Sequence, residues 1–321
     1  MSPAAVVTYR STKDAALTPF IEPVARYAQA SRAESTLRGY RTDWRQFEEW
    51  CEANGLVSLP ATAATVAAYI STKADQRDLK VGTIQRHVAA IRAFHGVDGY
   101  ESPTASMEVK LTLAGIRRTL GVAQDGKAPV LTTDVASMIS RIPDKLLGVR
   151  DRALLLVGFA GAFRRSELVA LNFEDVEFRE DGLKVTIRRS KTDQEGAGQV
   201  IGIACGTALC PVRALRDWLS AGNITAGPIF RNIDRHGRIL SRMTAQSVAL
   251  VVKRYAEDAG LDPANYAGHS LRSGFCTQAA INGVPEHAIM KQTRHKSSQT
   301  LRKYLRDANL FRANASARVG L

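Results

Sequence analysis

The sequence predicts a mainly α-helical protein of two domains, with one small antiparallel β-sheet confined to the second. Three observations lead there. The chain has 321 residues, more than one ordinary domain and comfortable for two. Over the first ~120 positions apolar residues recur at three- and four-residue steps, with no alternating strand pattern between them. The second half keeps helical stretches but inserts three short β-type runs, two of them joined at Asp181-Gly182, a hairpin signal.

The first helix is expected to start only after about seventeen residues, on stop and start signals alone. Ser35 or Thr36 can cap the next one. Its buried stripe would be Leu37, Tyr40, Trp44, Phe47 and Trp50, and Asn54-Gly55 stops it. Residues 62–71 are Ala-rich and helical. Residues 83–95 repeat the pattern with Ile84, Val88, Ile91 and Phe94, and 107–120 form a last helix. Residues 1–120 therefore read as a small helical bundle. In 121–130 two Gly and a Pro stop the preceding helix and favour an extended, mobile linker. The second domain, 131–321, opens with an apolar helix over 154–163. Strands follow at 175–178, 183–188 and 200–204, then helices from Ala208, Thr244, Ser270 and Ser298.

Composition narrows the class of partner. The hydrophobic fraction of 45% and charged fraction of 23% are ordinary for a globular protein. Lys and Arg number 44 against 31 Asp and Glu, a net charge of +13 that attracts polyanions such as nucleic acid. Cys51, Cys205, Cys210 and Cys276 lack C-x-x-C spacing, so small buried or semi-buried thiols fit better than a zinc site. A reducing cytoplasm is the expected compartment. The N-terminus has no secretory pattern, and no apolar run is long enough to span a bilayer.

Four segments of the second half carry groups suited to phosphate chemistry. In Gly161-Ala162-Phe163-Arg164-Arg165-Ser166-Glu167, Arg164 and Glu167 would share one helical face. Taken singly, they read as a surface ion pair. Lys191 stands in the turn Ser190-Lys191-Thr192-Asp193, where a lone lysine is usually a solvated charge. In His269-Ser270-Leu271-Arg272, His and Arg face the same way at a helix start and can serve one phosphate. His295 precedes Tyr304 by nine residues.

In this order and at these intervals, the segments resemble the tyrosine recombinase (phage integrase) family, in its Cre- and Xer-like branch. The family pattern is Arg, Lys, His-x-x-Arg, His or Trp, then Tyr. Arg164, Lys191, His269, Arg272, His295 and Tyr304 fill it, and Glu167 matches the acidic residue three places after the first Arg. Thr83-Ile84-Gln85-Arg86-His87-Val88, with Phe94-His95 behind, looks like the DNA-contacting helix of Cre-type members. The resemblance runs from about Leu17 onward. One departure concerns the loop before His295, where Arg294 replaces a frequent Gly and Lys296 follows. That loop is then tighter, or gains a phosphate contact.

The resemblance implies a SAM-like helical core-binding domain followed by an α+β catalytic domain. It implies DNA cleavage and rejoining through a 3′-phosphotyrosine and a Holliday junction, in integration, excision or resolution. Arg164 and Arg272 would hold the non-bridging oxygens, and Lys191 would protonate the departing 5′ oxygen. His269 would move protons near Tyr304, His295 would hydrogen-bond the phosphate, and Glu167 would position His269 or the active-site helix. A tyrosine of ordinary pKa near ~10 must lose its proton as it attacks. No acidic cluster at metal-ligand spacing accompanies the set, so neither metal, ATP nor another cofactor is expected.

Arg38, Arg41, Arg45, Lys80, Gln85, Arg86 and Arg92 are the candidate DNA contacts of the first domain; the bland reading is a solvated face. With these contacts the two domains would clamp duplex DNA. Leu310, Phe311, Ala313 and Val319 form a short apolar C-terminal segment, expected to dock on a neighbouring protomer of a homotetramer at the nucleoid. The alternative is a helix folded back on its own domain. An arm-type domain ahead of the bundle is not expected. Two other readings stay open: a sequence-specific DNA-binding protein with an unused active site, and a type IB topoisomerase or telomere resolvase.

Overall fold

A computed structural model describes residues 18–304, except 78, 123–125, 191–192, 194–195, 296, 300 and 303. The chain divides between Asp125 and Gly126 into two compact units. The first holds α1 (Thr18–Ala30), α2 (Glu34–Ala53), α3 (Ala63–Asp75), α4 (Val81–Val97) and α5 (Met107–Leu120). The aromatic stripe of α2 forms the centre of its core. Trp44 and Phe47 are buried; Trp44 stacks on Phe94 at 4.6 Å and Phe47 meets Tyr69 edge-on at 5.0 Å. Burying such rings contributes both area and geometric preference. The expected cap is displaced. Because α2 starts at Glu34, Ser35 and Thr36 fall in its first turn, and Ala33 at the cap position offers no side-chain acceptor. Thr62 and Ser106 do cap α3 and α5, accepting the amides of Thr65 and Val109.

A buried polar cluster ties three of these helices together. Asp43 accepts two hydrogen bonds from Arg86, at 2.6 and 2.9 Å, and lies 3.3 Å from His87 Nε2. His87 Nδ1 is 2.8 Å from the Tyr69 hydroxyl. A carboxylate this deep is costly unless paired, so the cluster fixes how α2, α3 and α4 meet.

The second unit holds α6 (Thr132–Ser140), α7 (Leu146–Ala160), α8 (Arg165–Ala170), α9 (Pro211–Ala221), α10 (Ala245–Asp258), α11 (Ser270–Ile281) and α12 (Glu286–Thr293). An antiparallel sheet in the order β1-β2-β3 uses Val176–Phe178, Gly182–Ile187 and Gln199–Ala204. Leu183, Val185, Ile187, Ile201 and Ile203 turn inward, matching the period of two expected of one buried face. The fold is thus mainly helical with small antiparallel sheets. A second sheet, β4 (Arg231–Ile233) with β5 (Ile239–Arg242), was not expected from the sequence.

Two boundaries differ from expectation for identifiable reasons. The apolar helix begins before Leu154 and stops at Ala160, because Ala162 takes a positive φ of 46° and turns the chain. The helix expected from Ala208 starts instead at Pro211, which needs no amide partner there. Cys210 caps it, its Sγ accepting from the Arg213 amide. Residues 126–130 run along the second unit. The amides of Ala128 and Val130 donate to the carbonyls of Asn265 and Ser270 at 2.7 and 3.0 Å, and Val130 is buried.

This crossing depends on Gly274 in α11. A Cβ there would stand 1.8 Å from the Val130 carbonyl oxygen. Gly274→Ala is expected to destabilise the second unit by roughly 1–3 kcal/mol, the usual cost of overpacking. Urea unfolding checks this: an unchanged midpoint would mean that the crossing has room to yield.

Candidate active site

The described candidate side chains come from the turn before α8, the start of α11, the end of α12 and Tyr304. The tight turn Gly161-Ala162-Phe163 ends α7 and delivers Arg164 to the cap position of α8. Arg164 and Glu167 therefore do not share a helical face. Glu167 sits in the first turn of α8 and folds back: Oε2 accepts the Arg164 amide at 2.9 Å and Oε1 accepts Arg164 Nη1 at 2.6 Å. Glu167 is buried, and its further partner is Arg294, whose Nη2 donates to Oε2 at 2.9 Å. The carboxylate thus closes the first turn of α8 and holds two arginines.

The start of α11 supplies the second pair. His269 occupies the cap position and is exposed, while Arg272 one turn on is almost fully buried. Arg272 Nη1 donates to the Ala162 carbonyl at 2.7 Å, and Nη2 donates to the Thr293 carbonyl. These bonds use two of the five N–H groups a guanidinium carries. His269 Nε2 lies 3.1 Å from the hydroxyl of Tyr304, which is half-buried beside Cys276, Ile289 and Leu301. The expected nucleophile and its proton partner are in contact.

The end of α12 supplies the rest. Thr293 is buried and its hydroxyl donates to the Ile289 carbonyl at 2.7 Å. Its lone pair is then free to accept Nδ1–H of His295, 2.8 Å away. In that tautomer Nε2 of neutral His295 is an acceptor, and donating to a phosphate requires a second proton. Arg294 gains no phosphate contact; its side chain points inward. Lys191 lies outside the described residues, in the connection between β2 and β3. The flanking Ser190 and Asp193 exchange backbone hydrogen bonds at 3.1 and 3.2 Å.

Comparison with known proteins decides the family. The model of the Phage integrase family matches residues 129–310, and that of the Phage integrase, N-terminal SAM-like domain matches 26–97. An integrase/recombinase XerD homolog of Selenomonas ruminantium is 41% identical over 301 residues, covering 92% of this chain and 88% of its own. The tyrosine recombinase XerD of Xanthomonas axonopodis pv. citri is 29% identical, covering 87% and 88%. A XerH site-specific recombinase bound to palindromic difH substrate shares the fold, with a TM-score of 0.68 at 16% identity over 98% of this chain and 92% of that one. The chain belongs to the phage integrase family.

As a tyrosine recombinase it holds its charges under tension. Burial pushes the Glu167 carboxyl up, but Arg294 and the Arg164 amide and guanidinium outweigh burial and hold it below the usual carboxylate range. Burial, with Arg164 and Arg294 nearby, lowers Arg272 to about 10, still protonated at neutral pH. Burial and the cations Arg272 and Arg164 lower His295 to about 4. Burial raises Tyr304, with Arg272 opposing, so the resting phenol keeps its proton.

In the first unit of this recombinase, Arg41, Arg45, Lys80, Gln85 and Arg92 are exposed. Arg38 is exposed and pairs with Glu34 at 3.2 Å. Arg86 is half-exposed and committed to Asp43, a packing role that sequence reasoning missed. The histidines of the Cre-like segment face inward: His87 meets Asp43, and His95 Nε2 accepts the Ala61 amide at 2.9 Å. Among the described residues no helix is long and apolar enough to cross a membrane.

Folding should therefore be acid-sensitive. Burial lowers His87 and His95 as well as His295, despite Asp43 beside His87 and the Ile91 carbonyl beside His95. Below the unfolded histidine value of ~6.5 the unfolded chain binds protons that the folded chain refuses, so stability is full above that pH and is lost on acidification. Glu167, depressed when folded, adds a further loss at lower pH, below the ordinary carboxylate range. The melting temperature should fall steadily from pH 7 toward pH ~4.5. A flat or rising profile would contradict the burial of these histidines.

Proposed function

We propose that Tyr304 is the nucleophile with which this tyrosine recombinase cleaves DNA. The observation that carries the reading is the 3.1 Å contact of Tyr304 with His269 Nε2, beside an Arg272 anchored to the turn that presents Arg164. The phenolic oxygen bonds to the scissile phosphorus while the bond to the 5′ oxygen breaks, leaving a 3′-phosphotyrosine. The phenol's proton passes to His269, and Lys191 protonates the departing 5′ oxygen. Arg164 and Arg272 hold the non-bridging oxygens, where charge grows in the transition state. His295, protonated from solvent once the bound anion offsets the nearby cations, hydrogen-bonds a non-bridging phosphate oxygen and keeps its proton. Attack by the freed 5′ hydroxyl of a partner strand reverses the step and passes through a Holliday junction.

In this reading residues 1–120 grip duplex DNA through Arg41, Arg45, Lys80, Gln85 and Arg92, and residues 131–321 cleave it. Arg38 and Arg86 contribute less, since each already has a carboxylate partner. Four protomers assemble on two sites, joined by the C-terminal segment after Tyr304, which lies outside the described residues. The enzyme works in the cytoplasm, at the nucleoid.

On a nicked suicide substrate carrying a target selected from bound genomic fragments, wild type should form a covalent band in EDTA. Tyr304→Phe should form none, while binding the same DNA. Arg164→Ala should slow band formation by about a hundred-fold or more. Adduct from the Tyr304 variant would sink the assignment of the nucleophile. In fluorescence anisotropy, Arg41→Ala and Arg45→Ala should each reduce the slope of log affinity against log salt by about one. Unchanged slopes would remove these side chains from the DNA interface.

A further inference from the structure

We propose that Arg294 is a positioning residue for cleavage: it joins the Glu167 carboxylate to the Ala162 carbonyl and so fixes the frame that presents Arg164 and Arg272. The inference rests on the site assignment above. Arg294 caps α12 in the left-handed region, with φ 59° and ψ 38°. A glycine would adopt that backbone freely, whereas a residue with a Cβ does so at a cost. The cost is accepted for a side chain that ends inside the protein. Its guanidinium lies over the Phe163 ring, 5.3 Å from the centroid.

Four acceptors surround that guanidinium. Nη1 donates to the carbonyls of Gly161 at 3.1 Å and Gln292 at 2.7 Å. Nη2 donates to the Ala162 carbonyl and to Glu167 Oε2, both at 2.9 Å. Enclosed in this way, Arg294 touches no substrate. Its partners are what matter. Ala162 O also accepts Arg272 Nη1, and Glu167 Oε2 also accepts the Arg164 amide. Each phosphate-directed arginine is thus one shared oxygen away from Arg294. The buried Nε has no hydrogen-bond partner among the described residues, an expense with no return in packing alone.

Placement errors of an ångström in such clamps typically slow a reaction far more than they weaken binding. The test is a double-variant cycle on the full chain, reading single-turnover adduct formation at saturating DNA, with affinity measured in parallel. Arg294→Gly suits the backbone and removes only the side chain. It should cut the cleavage rate by ~10-fold or more and change affinity by less than ~3-fold. Glu167→Gln should also slow cleavage, and the two losses should not multiply: the double variant should lie within ~2-fold of the slower single one. Wild-type rate in Arg294→Gly, or losses that multiply, would overturn the proposal, because a merely structural residue has no reason to act through Glu167. If Arg294→Gly fails to fold, Arg294→Lys runs the same cycle, keeping the charge but not the four-point geometry. Absence of any Tyr304-dependent adduct from wild type is a different failure, which overturns the site assignment itself.

Discussion

The candidate site of the second unit is organised around the buried carboxylate of Glu167. Glu167 receives the amide and guanidinium of Arg164 on one side and the guanidinium of Arg294 on the other. Its burial is tolerable only because both oxygens are occupied by charge-assisted donors. Remove the carboxylate and two cations would face each other across a desolvated space. Keep it, and Arg164 is pinned by backbone and side chain at once, at the point where the chain leaves α7. The first unit uses the same device elsewhere: Asp43, equally buried, pins Arg86 and His87 of α4 against α2.

Much of this was legible in the sequence, and what was missed shares a physical cause. Trp44, Phe47, Ile84 and Ile91 announce their burial by helical spacing, and Leu183, Val185 and Ile187 announce theirs by alternation. The candidate site residues were readable because their types, order and spacing resemble the pattern of the tyrosine recombinase family. By contrast, β4 and β5 are three and four residues long and only partly buried, too short for any period to show. The six residues of α8 and the polar α12 fail the same way. Nothing in the local spacing marks Asp43, because its burial depends on α4, more than forty residues away in sequence.

Arg294 is the instructive intermediate. The sequence marked it as a departure from a family pattern that favours Gly, but not what it does. The left-handed backbone explains why Gly would serve there, and the enclosed guanidinium explains what Gly would forfeit. Neither fact is local: one depends on how α12 ends, the other on the turn after α7. A positive residue inside a DNA-cleaving motif invites the reading of a phosphate contact. Burial and four short hydrogen bonds overrule that reading.

The charges of the site are also unbalanced in a way that suits its reaction. Among the described residues three guanidinium groups, Arg164, Arg272 and Arg294, stand against the carboxylate of Glu167, a surplus of two positive charges. Burial first, and the neighbouring cations second, lower Arg272 and hold His295 neutral, so that surplus is costly at rest. A phosphodiester brings one negative charge and relieves part of the cost. In the proposed reaction, the five-coordinate phosphorus formed as Tyr304 attacks would carry about two and relieve more of it. The surplus is therefore matched to the transition state more closely than to the bound substrate, and that difference is what accelerates a reaction. The raised pKa of Tyr304 fits the same proposal, since burial keeps the resting phenol protonated.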